Sequence, residues 1–371
     1  QQAAELVVAR YLQEHGDYPR VITMTIWGTA EMRTAGESIA AAMALMGTTP
    51  RWDESSGRVL GFTILPSSSL ERPRVWVNLR ISGFFRDAFP HLIDLFDRTA
   101  RAVQQLDETD DKNAAAAHYR ALQQRLTAAG IANNTASDLA GATIFGPAPD
   151  SYGTGLQQLL DNETWQERPD LAKQFLHWTS HYYGQDQRAE KVVANHGNHK
   201  NNHPVMATAN QDNIFHQRLA ASQIIMQNQD NREHDILDSD DYYQFQGGLY
   251  AAASWLQQQW GGTRPIAQYH NDHSNPLAPR VATLTEEIGR VVRARATTPK
   301  WLTRIRQEGY KGGFEMAATL DYLFAFAATT NAVSSHHFDL LFDHYLADNT
   351  NVAFLRDHNL PALHDMAKKF D

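Results

Sequence analysis

Carboxylate side chains are concentrated in one short segment of this sequence, residues 228–243. Nine consecutive positions contain six ionisable groups: Glu233, His234, Asp235, Asp238, Asp240 and Asp241. The segment directly follows the apolar residues 224–226, which favour a strand. In α/β proteins, loops at the carboxyl ends of strands gather ligand-binding groups. Because neighbouring carboxylates raise one another's pKa and attract cations, the segment predicts metal handling or proton abstraction.

The same residues also fit a purely structural role. Asp238, Ser239 and Asp240 precede a predicted helix that begins near Tyr242. Their side chains could cap this helix, and its dipole favours acidic groups at its first turn. The residue types alone leave both interpretations open.

A second polar loop, residues 27–36, leaves a predicted strand and enters a predicted helix. Glu31 and Arg33 could then lie at the rim of a pocket. The spacing of the glycines matches neither a phosphate-binding loop nor a dinucleotide fingerprint. The alternative is a plain connection between strand and helix, since most such loops only connect.

Two further segments carry groups that could contact a ligand. Arg86 could bind a carboxylate through two parallel hydrogen bonds, or it could pair locally with Asp87. Tyr152 stands beside Gly153 and Gly155, which would let the backbone approach a flat ligand or would only mark helix ends.

The histidines favour solvated loops over metal sites. His196, His199 and His203 have spacing that could bind a divalent transition metal, yet they lie in an Asn-rich polar segment. His270 and His273 stand in a similar polar stretch and are predicted to lie in a loop as well.

Composition limits the classes of partner. The formal net charge is −9 and the pI is near 6.0, so no general positive field exists to attract nucleic acid or anionic membranes. The absence of cysteine excludes disulfides and thiolate metal sites. No apolar run is long enough to span a bilayer and no signal peptide is visible, so we expect a cytoplasmic protein. The chain begins at Gln1 rather than Met, and we expect it to be a piece of something longer.

The elements that must position these groups alternate between strand and helix in the first part of the chain. Strands are predicted at residues 21–27, 59–65 and 75–79, with helices between and after them. The predicted fold class is α/β, with a mostly parallel sheet layer in an N-terminal subdomain, residues 1–150. A mainly helical α/β subdomain, residues 151–371, is predicted to follow and to carry the acidic segment.

Taken together, these segments resemble the large subunit of cobaltochelatase, within the family that includes the magnesium chelatase H subunit. The matching stretches appear in family order: WGTAEMRTAGESIA (27–40), ERPRVWVNLRISGFFRDAFP (71–90), IFGPAPDSYGTG (144–155), NQDNREHDILDSDDYYQFQGGL (228–249), EEIGRVVRARATTPKW (286–301) and GYKGGFEMAATLDYLF (309–324). Large subunits of this family are several times longer, so the chain resembles their C-terminal part.

The resemblance implies an ATP-dependent metal chelatase that acts as one subunit of a complex. The expected substrates are Co²⁺ and the corrin precursor hydrogenobyrinic acid a,c-diamide, in aerobic cobalamin biosynthesis. The expected partners are a ring-forming ATPase subunit and a companion subunit with a metal-binding module. ATP and Mg²⁺ would be used by the ATPase subunit, and no phosphate-binding loop occurs in this chain.

With that resemblance, the candidate residues receive expected roles. The expected catalytic group has Asp240 first, followed by Asp238, Asp241, Glu233 and His234. Asp240 and His234 are the expected metal ligands. The expected substrate-binding residues are Glu31, Arg33 and Arg86 for polar groups, and Trp27, Tyr152, Tyr242 and Tyr243 for the ring face.

Two alternatives remain open at this stage. A magnesium chelatase H-type subunit would act on protoporphyrin, although His234 beside the acids tilts the prediction toward cobalt because a hard cation prefers oxygen ligands. A non-catalytic scaffold would bind the tetrapyrrole and only dock the ATPase partner.

Overall fold

The computed structural model describes residues 1–179, 181–184, 213–262 and 264–370. Its strands are β1 (Val21–Ile26), β2 (Thr48–Trp52), β3 (Val59–Ile64), β4 (Trp76–Ile81), β5 (Ile144–Gly146), β6 (His181–Tyr183), β7 (Ile224–Gln229), β8 (Ala267–Asp272) and β9 (Arg280–Thr283).

The α-helices begin and end as follows: α1 (Gln2–His15), α2 (Gly28–Thr34), α3 (Glu37–Leu45), α4 (Gly83–Ala88), α5 (Pro90–Gln104), α6 (Ala114–Ala128), α7 (Asn133–Gly141), α8 (Leu156–Asp161), α9 (Arg168–Trp178), α10 (Ile214–Ala220), α11 (Asp240–Tyr242), α12 (Gly248–Gln259), α13 (Leu284–Val291), α14 (Pro299–Gln307), α15 (Tyr310–Thr329), α16 (Ser335–Tyr345), α17 (Asn349–His358) and α18 (Leu360–Phe370). A short 3₁₀ helix lies at Ser67–Ser69, and two π-helical turns lie at Tyr243–Gly247 and Val292–Ala296.

The central sheet has the strand order β6-β5-β4-β1-β7-β8-β9. The five inner strands run parallel, and the edge strands β6 and β9 pair antiparallel with their neighbours. From β1 the chain first builds the sheet outward through β4 and β5, and later continues on the other side of β1 with β7 and β8. The carboxyl ends of β1 and β7 therefore border a topological switch point, where ligands bind in open α/β sheets.

Burial on both faces explains why these runs form parallel strands. All six residues of β1, of β4 and of β7 are buried, as expected for strands covered by helices on both sides. Side chains alternate across β7: Ile224 and Met226 pack with α1, α3 and α5, whereas Ile225 packs with α9, α10 and α12. A third apolar cluster joins α13 to α18 around Tyr242 and Tyr243.

The predicted strand at 59–65 forms but does not join the parallel sheet. It is β3, which pairs antiparallel with β2 in a separate two-stranded sheet. Only a short turn, closed by Asp53, separates the two strands. A connection this short allows only a hairpin, because a parallel crossover needs a dozen or more residues.

The mixed α/β fold with a mostly parallel sheet is confirmed. The division at residue 150 stays a prediction, and the sheet takes β6 to β9 from the second part of the chain. The loop prediction was wrong for His270, which belongs to β8, whereas His273 lies in the loop that follows β8; both side chains are buried. Among the described residues, no helix is both long and apolar enough to cross a membrane.

Candidate functional site

The loops that follow β1 and β7 are joined across the switch point. Arg33, on α2, contacts Asp230, the first residue after β7, through Nε–Oδ2 and Nη2–Oδ1 distances of 2.7 and 3.0 Å. Burial of Asp230 opposes its ionisation, but the hydrogen bonds and charge of Arg33 outweigh that effect and lower its pKa. The guanidinium predicted for a substrate carboxylate is therefore bound to a carboxylate of the protein. Asp230 was not among the predicted site residues.

The acidic segment that follows is anchored at its centre. Asp235 accepts hydrogen bonds from Nε and Nη2 of Arg295, and the Nη2–Oδ1 distance is 2.9 Å. The next two residues, Ile236 and Leu237, are fully buried in the C-terminal apolar cluster. The ion pair and the burial of these two residues hold the backbone of the segment in place. The acidic residues that follow Leu237 are therefore attached to an ordered backbone.

Asp238 is placed to exchange a proton near neutral pH. Its Oδ1 atom lies 3.4 Å from Nδ1 of the exposed His234 and is buried with no hydrogen-bond partner among the described residues. Burial, followed by the nearby charge of Asp235, raises the pKa of Asp238 to about 6, against the opposing charges of Arg295 and His234. A carboxyl with a pKa in this range can accept and release protons at physiological pH.

Asp240 is held by a hydrogen-bond chain that reaches another loop. Nε2 of Gln244 donates to Oδ2 of Asp240 at 2.8 Å, and Oε1 of Gln244 accepts from the hydroxyl of Thr154 at 3.1 Å. Thr154 belongs to the loop after β5, so two strand ends are linked through one glutamine.

Ser239 is the N-cap residue of α11, but its side chain makes no capping hydrogen bond. The capping interpretation of this segment therefore has no support from the observed hydrogen bonds.

One further carboxylate near Asp240, and a second carboxylate near that one, were missed from the sequence. Burial, then the charges of Asp321 and Asp240, raises the pKa of Asp161 at the end of α8. Asp321, on α15, is bound to Nζ of Lys369 at 2.7 Å. Asp241 is exposed, but reduced hydration and the charge of Asp240 raise its pKa as well. Because these acids come from three distant helices, no local sequence pattern could have grouped them.

Glu31 is a buried residue that lines a cavity. Its Oε1 accepts a hydrogen bond from the backbone N–H of Ser38 at 3.2 Å, near the start of α3. Its Oε2 has no hydrogen-bond partner among the described residues, and burial raises the pKa of this carboxyl. Glu31 lines a cavity of about 540 Å³, together with Trp52, Arg58 and Phe89.

Arg86 organises a neighbouring loop. Its Nε and Nη2 atoms bind Asp87 at 2.6 and 2.8 Å, and Nη1 donates to the carbonyls of Ala148 and Ser151. The structure thus contains the local ion pair that was the alternative for this arginine. Its side chain is only 7% exposed, so a substrate carboxylate would have to displace an internal partner.

A second arginine, Arg80, supports the same loop and was not predicted. This fully buried residue of β4 donates to the carbonyl of Gly153 at 2.9 Å and lies over the ring of Phe245 at 4.4 Å. Burial lowers the pKa of Arg80 to about 9. The residue ranges 147–155 and 243–247 are thereby tied to the central sheet.

The four predicted aromatic residues differ in how much ring surface they present. Tyr152 is 59% exposed, and its hydroxyl donates to Oδ2 of Asp87 at 2.7 Å. Tyr242 and Tyr243 are buried, and the ring of Trp27 packs against Tyr242 with centroids 4.9 Å apart. Tyr152 therefore offers a ring face to a ligand. Tyr242 and Tyr243 instead belong to the apolar cluster that also contains Ile236 and Leu237 of the acidic segment.

The described part of the chain contains no group of three or more His, Asp or Glu side chains that could hold a metal ion. His234 pairs with Asp238 and belongs to no such group with Asp240, so their expected role as metal ligands stays a prediction. Glu233 is exposed beside them. His196, His199 and His203 lie outside the described residues.

Comparison with known proteins gives consistent matches over the whole chain. The family described as CobN/Magnesium Chelatase matches residues 1–370. The chain is 48% identical over 369 residues to a protein named aerobic cobaltochelatase subunit CobN from Sinorhizobium sp, covering 99% of this chain and 27% of that protein. The protein of the same name from Pseudomonas aeruginosa is 48% identical over 99% of this chain and 28% of its own length.

A solved structure extends the similarity to the fold. The catalytic subunit of cobaltochelatase from Mycobacterium tuberculosis matches with a TM-score of 0.87 and 38% identity, covering 99% of this chain and 29% of that one. Magnesium chelatase H subunits are more distant, and the one from Rhodobacter capsulatus is 27% identical. The chain spans between a quarter and a third of the length of the relatives it matches.

Proposed function

This chain belongs to the CobN/magnesium chelatase family, and on that premise we propose that it is part of the tetrapyrrole-binding large subunit of an ATP-dependent cobaltochelatase. The proposed reaction inserts Co²⁺ into hydrogenobyrinic acid a,c-diamide in aerobic cobalamin biosynthesis. The observation that carries the proposal is the identity to proteins named aerobic cobaltochelatase subunits, which is far higher than the identity to magnesium chelatase H subunits.

Metal insertion requires that ring nitrogens lose protons and that the incoming ion loses water. Asp238 has the pKa to act as the proton acceptor, since burial and Asp235 raise it to about 6. Asp240 and Asp241 would supply oxygen atoms that replace water around Co²⁺.

The ring would lie over the switch point, against the exposed face of Tyr152. Substrate carboxylates would compete with the internal partners of the two predicted arginines. We expect Arg33 to exchange partners more readily than Arg86, because its side chain is 44% exposed and that of Arg86 is 7% exposed. Arg80 and Arg86 act as positioning residues for the loop that carries Tyr152.

Energy for insertion would come from a partner. We propose that a ring-forming ATPase subunit, assisted by a companion with a metal-binding module, uses ATP and Mg²⁺ and acts on this subunit. A cytoplasmic location also remains a proposal.

An absorbance titration tests the choice of tetrapyrrole. The chain would be titrated in parallel with hydrogenobyrinic acid a,c-diamide and with protoporphyrin. Saturable binding of the corrin precursor at a lower Kd supports the cobalt assignment. Tighter binding of protoporphyrin would replace it with the magnesium branch of the family.

A second experiment separates a chelatase from a scaffold that only binds the ring and docks the ATPase partner. Asp240→Asn would be placed in the full-length subunit and assayed with its partner subunits. A chelatase loses Co²⁺ insertion and keeps ring binding, whereas a scaffold keeps both properties. Glu54→Gln, in the distant β2–β3 turn, is the matched control.

A further inference from the structure

A second cavity lies at the opposite end of the sheet from the candidate site. It is lined by Val21 and Trp76, which are the first residues of β1 and β4, and by residues of α6 and α10. Its volume is about 450 Å³, and small-molecule sites typically have volumes of about 300–1,000 Å³. None of the expected site residues lines it, so its role does not depend on the proposed chelatase function.

A buried arginine faces this cavity without a carboxylate partner in the described chain. Arg218 is 5% exposed and lies over the ring of Trp76, with its guanidinium carbon 3.7 Å from the ring centroid. Its Nη2 donates to the carbonyl of Ala140 at 2.6 Å and its Nε donates to that of Ala142 at 3.3 Å. The remaining nitrogen, Nη1, donates to no described residue.

A second arginine increases the positive charge at the cavity. Arg125 is exposed on α6, and its Nη2 donates to Oε1 of Gln217, which is also a lining residue. Burial, and then the charge of Arg125, lowers the pKa of Arg218. His118 also lines the cavity, and burial together with Arg218 lowers its pKa to about 4, so it is neutral at physiological pH.

The two carbonyls and the ring of Trp76 stabilise the guanidinium of Arg218 but supply no negative charge. A buried charge is destabilising unless it is paired, and a like charge nearby adds to the cost. The chain as a whole carries a net charge of −9, so acidic side chains are plentiful. Even so, neither Arg125 nor Arg218 forms an ion pair with any carboxylate in the described ranges.

We propose that this cavity binds an organic oxyanion, a carboxylate or phosphate ester attached to a flat apolar body. The guanidinium of Arg218, with Arg125 at the rim, supplies donors for two oxygens. Leu122 and Trp260 provide apolar lining for the body of the ligand.

The test uses the whole chain, labelled with ¹⁵N at the tryptophan indoles, and follows the indole N–H signals of Trp76 and Trp260 by NMR. Four probes are titrated: benzoate, phenyl phosphate, inorganic phosphate and neutral benzamide. We expect benzoate or phenyl phosphate to shift both signals saturably, and the tighter of the two identifies the anion class. Benzamide and inorganic phosphate should bind at least about tenfold more weakly, because each lacks one of the two recognised features.

Variants locate the site. Arg125→Gln removes an exposed charge without disturbing the core, and it should weaken binding about tenfold. Arg98→Gln, an exposed arginine paired with Asp94 on α5, is the matched control and should leave Kd within about twofold. Equal binding of benzamide, equal binding of inorganic phosphate, or no effect of Arg125→Gln would each overturn the proposal. Absence of any saturable shift would overturn it as well.

Discussion

Arg33 and Asp230 connect the loops after β1 and β7 with two contacts of 2.7 and 3.0 Å. These residues are nearly two hundred positions apart, yet their strands are neighbours in the sheet. The pair links the loops at the two strand ends, where the acidic segment begins. Arg33, which the sequence suggested for a substrate carboxylate, therefore also stabilises the site through its ion pair with Asp230.

Breaking the Arg33–Asp230 ion pair should destabilise the folded chain moderately. Because Arg33 is 44% exposed, we expect Arg33→Gln or Asp230→Asn to lower the free energy of unfolding by only about 1 kcal/mol. The double variant should cost little more than either single one, as urea denaturation would measure. Additive losses would show that the two side chains do not interact. Arg98→Gln, which breaks an exposed pair on α5, should cost no more than about 0.5 kcal/mol.

Asp238 should make stability depend on pH. Its pKa is raised from 3.8 to about 6, so the folded state binds a proton more tightly than the unfolded state does. The contribution of Asp238 is fully favourable below about pH 4 and is lost as the pH rises to about 6. Asp238→Asn should remove this loss, so between pH 4 and pH 7 the variant should gain about 2 kcal/mol in unfolding free energy relative to the parent chain. Urea denaturation of both proteins at both pH values measures this, and an unchanged difference between them would contradict it.

The same group should shape the pH profile of metal insertion. If Asp238 accepts a ring proton, the insertion rate of the reconstituted complex should rise through about pH 6 and level off above it. Asp238→Asn should remove this limb of the profile and lower the rate about a hundredfold or more. A variant that keeps the limb would assign the proton transfer to another group, for which Asp241 is the next candidate.

Substitutions of Asp240 and of Gln244 should lower the insertion rate to different extents. We expect Asp240→Asn to lower the insertion rate about a hundredfold or more while leaving the Kd for the tetrapyrrole within about twofold. Gln244→Ala removes the 2.8 Å hydrogen bond that holds Asp240, so it should lower the rate by about tenfold. Rescue by Gln244→Glu is not expected, because a second carboxylate would repel Asp240. Equal effects of Asp240→Asn on rate and on Kd would instead mark a residue that only binds substrate.

Tyr152 allows its ring and its hydroxyl to be tested separately. Tyr152→Phe loses only the hydrogen bond to Asp87, so the Kd for the tetrapyrrole should change by less than about threefold. Tyr152→Ala removes the exposed ring and should raise that Kd about tenfold. The absorbance titration measures both. If both variants bind the ring as tightly as the parent chain, Tyr152 does not contact the ligand.

The sequence by itself determined the two strands that border the switch point and the acidic segment. The β-branched run at 21–27 and the apolar residues at 224–226 predicted strands, and a parallel sheet places the loops after them at one edge. Local chemistry was enough for this, because strand burial and loop position depend on residues close together in the chain. The family could also be named from motifs alone, since six of them occur in order.

The tertiary structure decided what each polar group does. Arg33 pairs with Asp230, Arg86 binds two carbonyls of the loop after β5, and Glu31 is buried near the start of α3. Partner choice depends on which distant strands become neighbours, and the crossover from β5 to β7 that sets this has no local signature. For the same reason, only the fold could bring Asp161 near both Asp240 and Asp321, and only the fold could place Arg218 over Trp76 at the far end of the sheet.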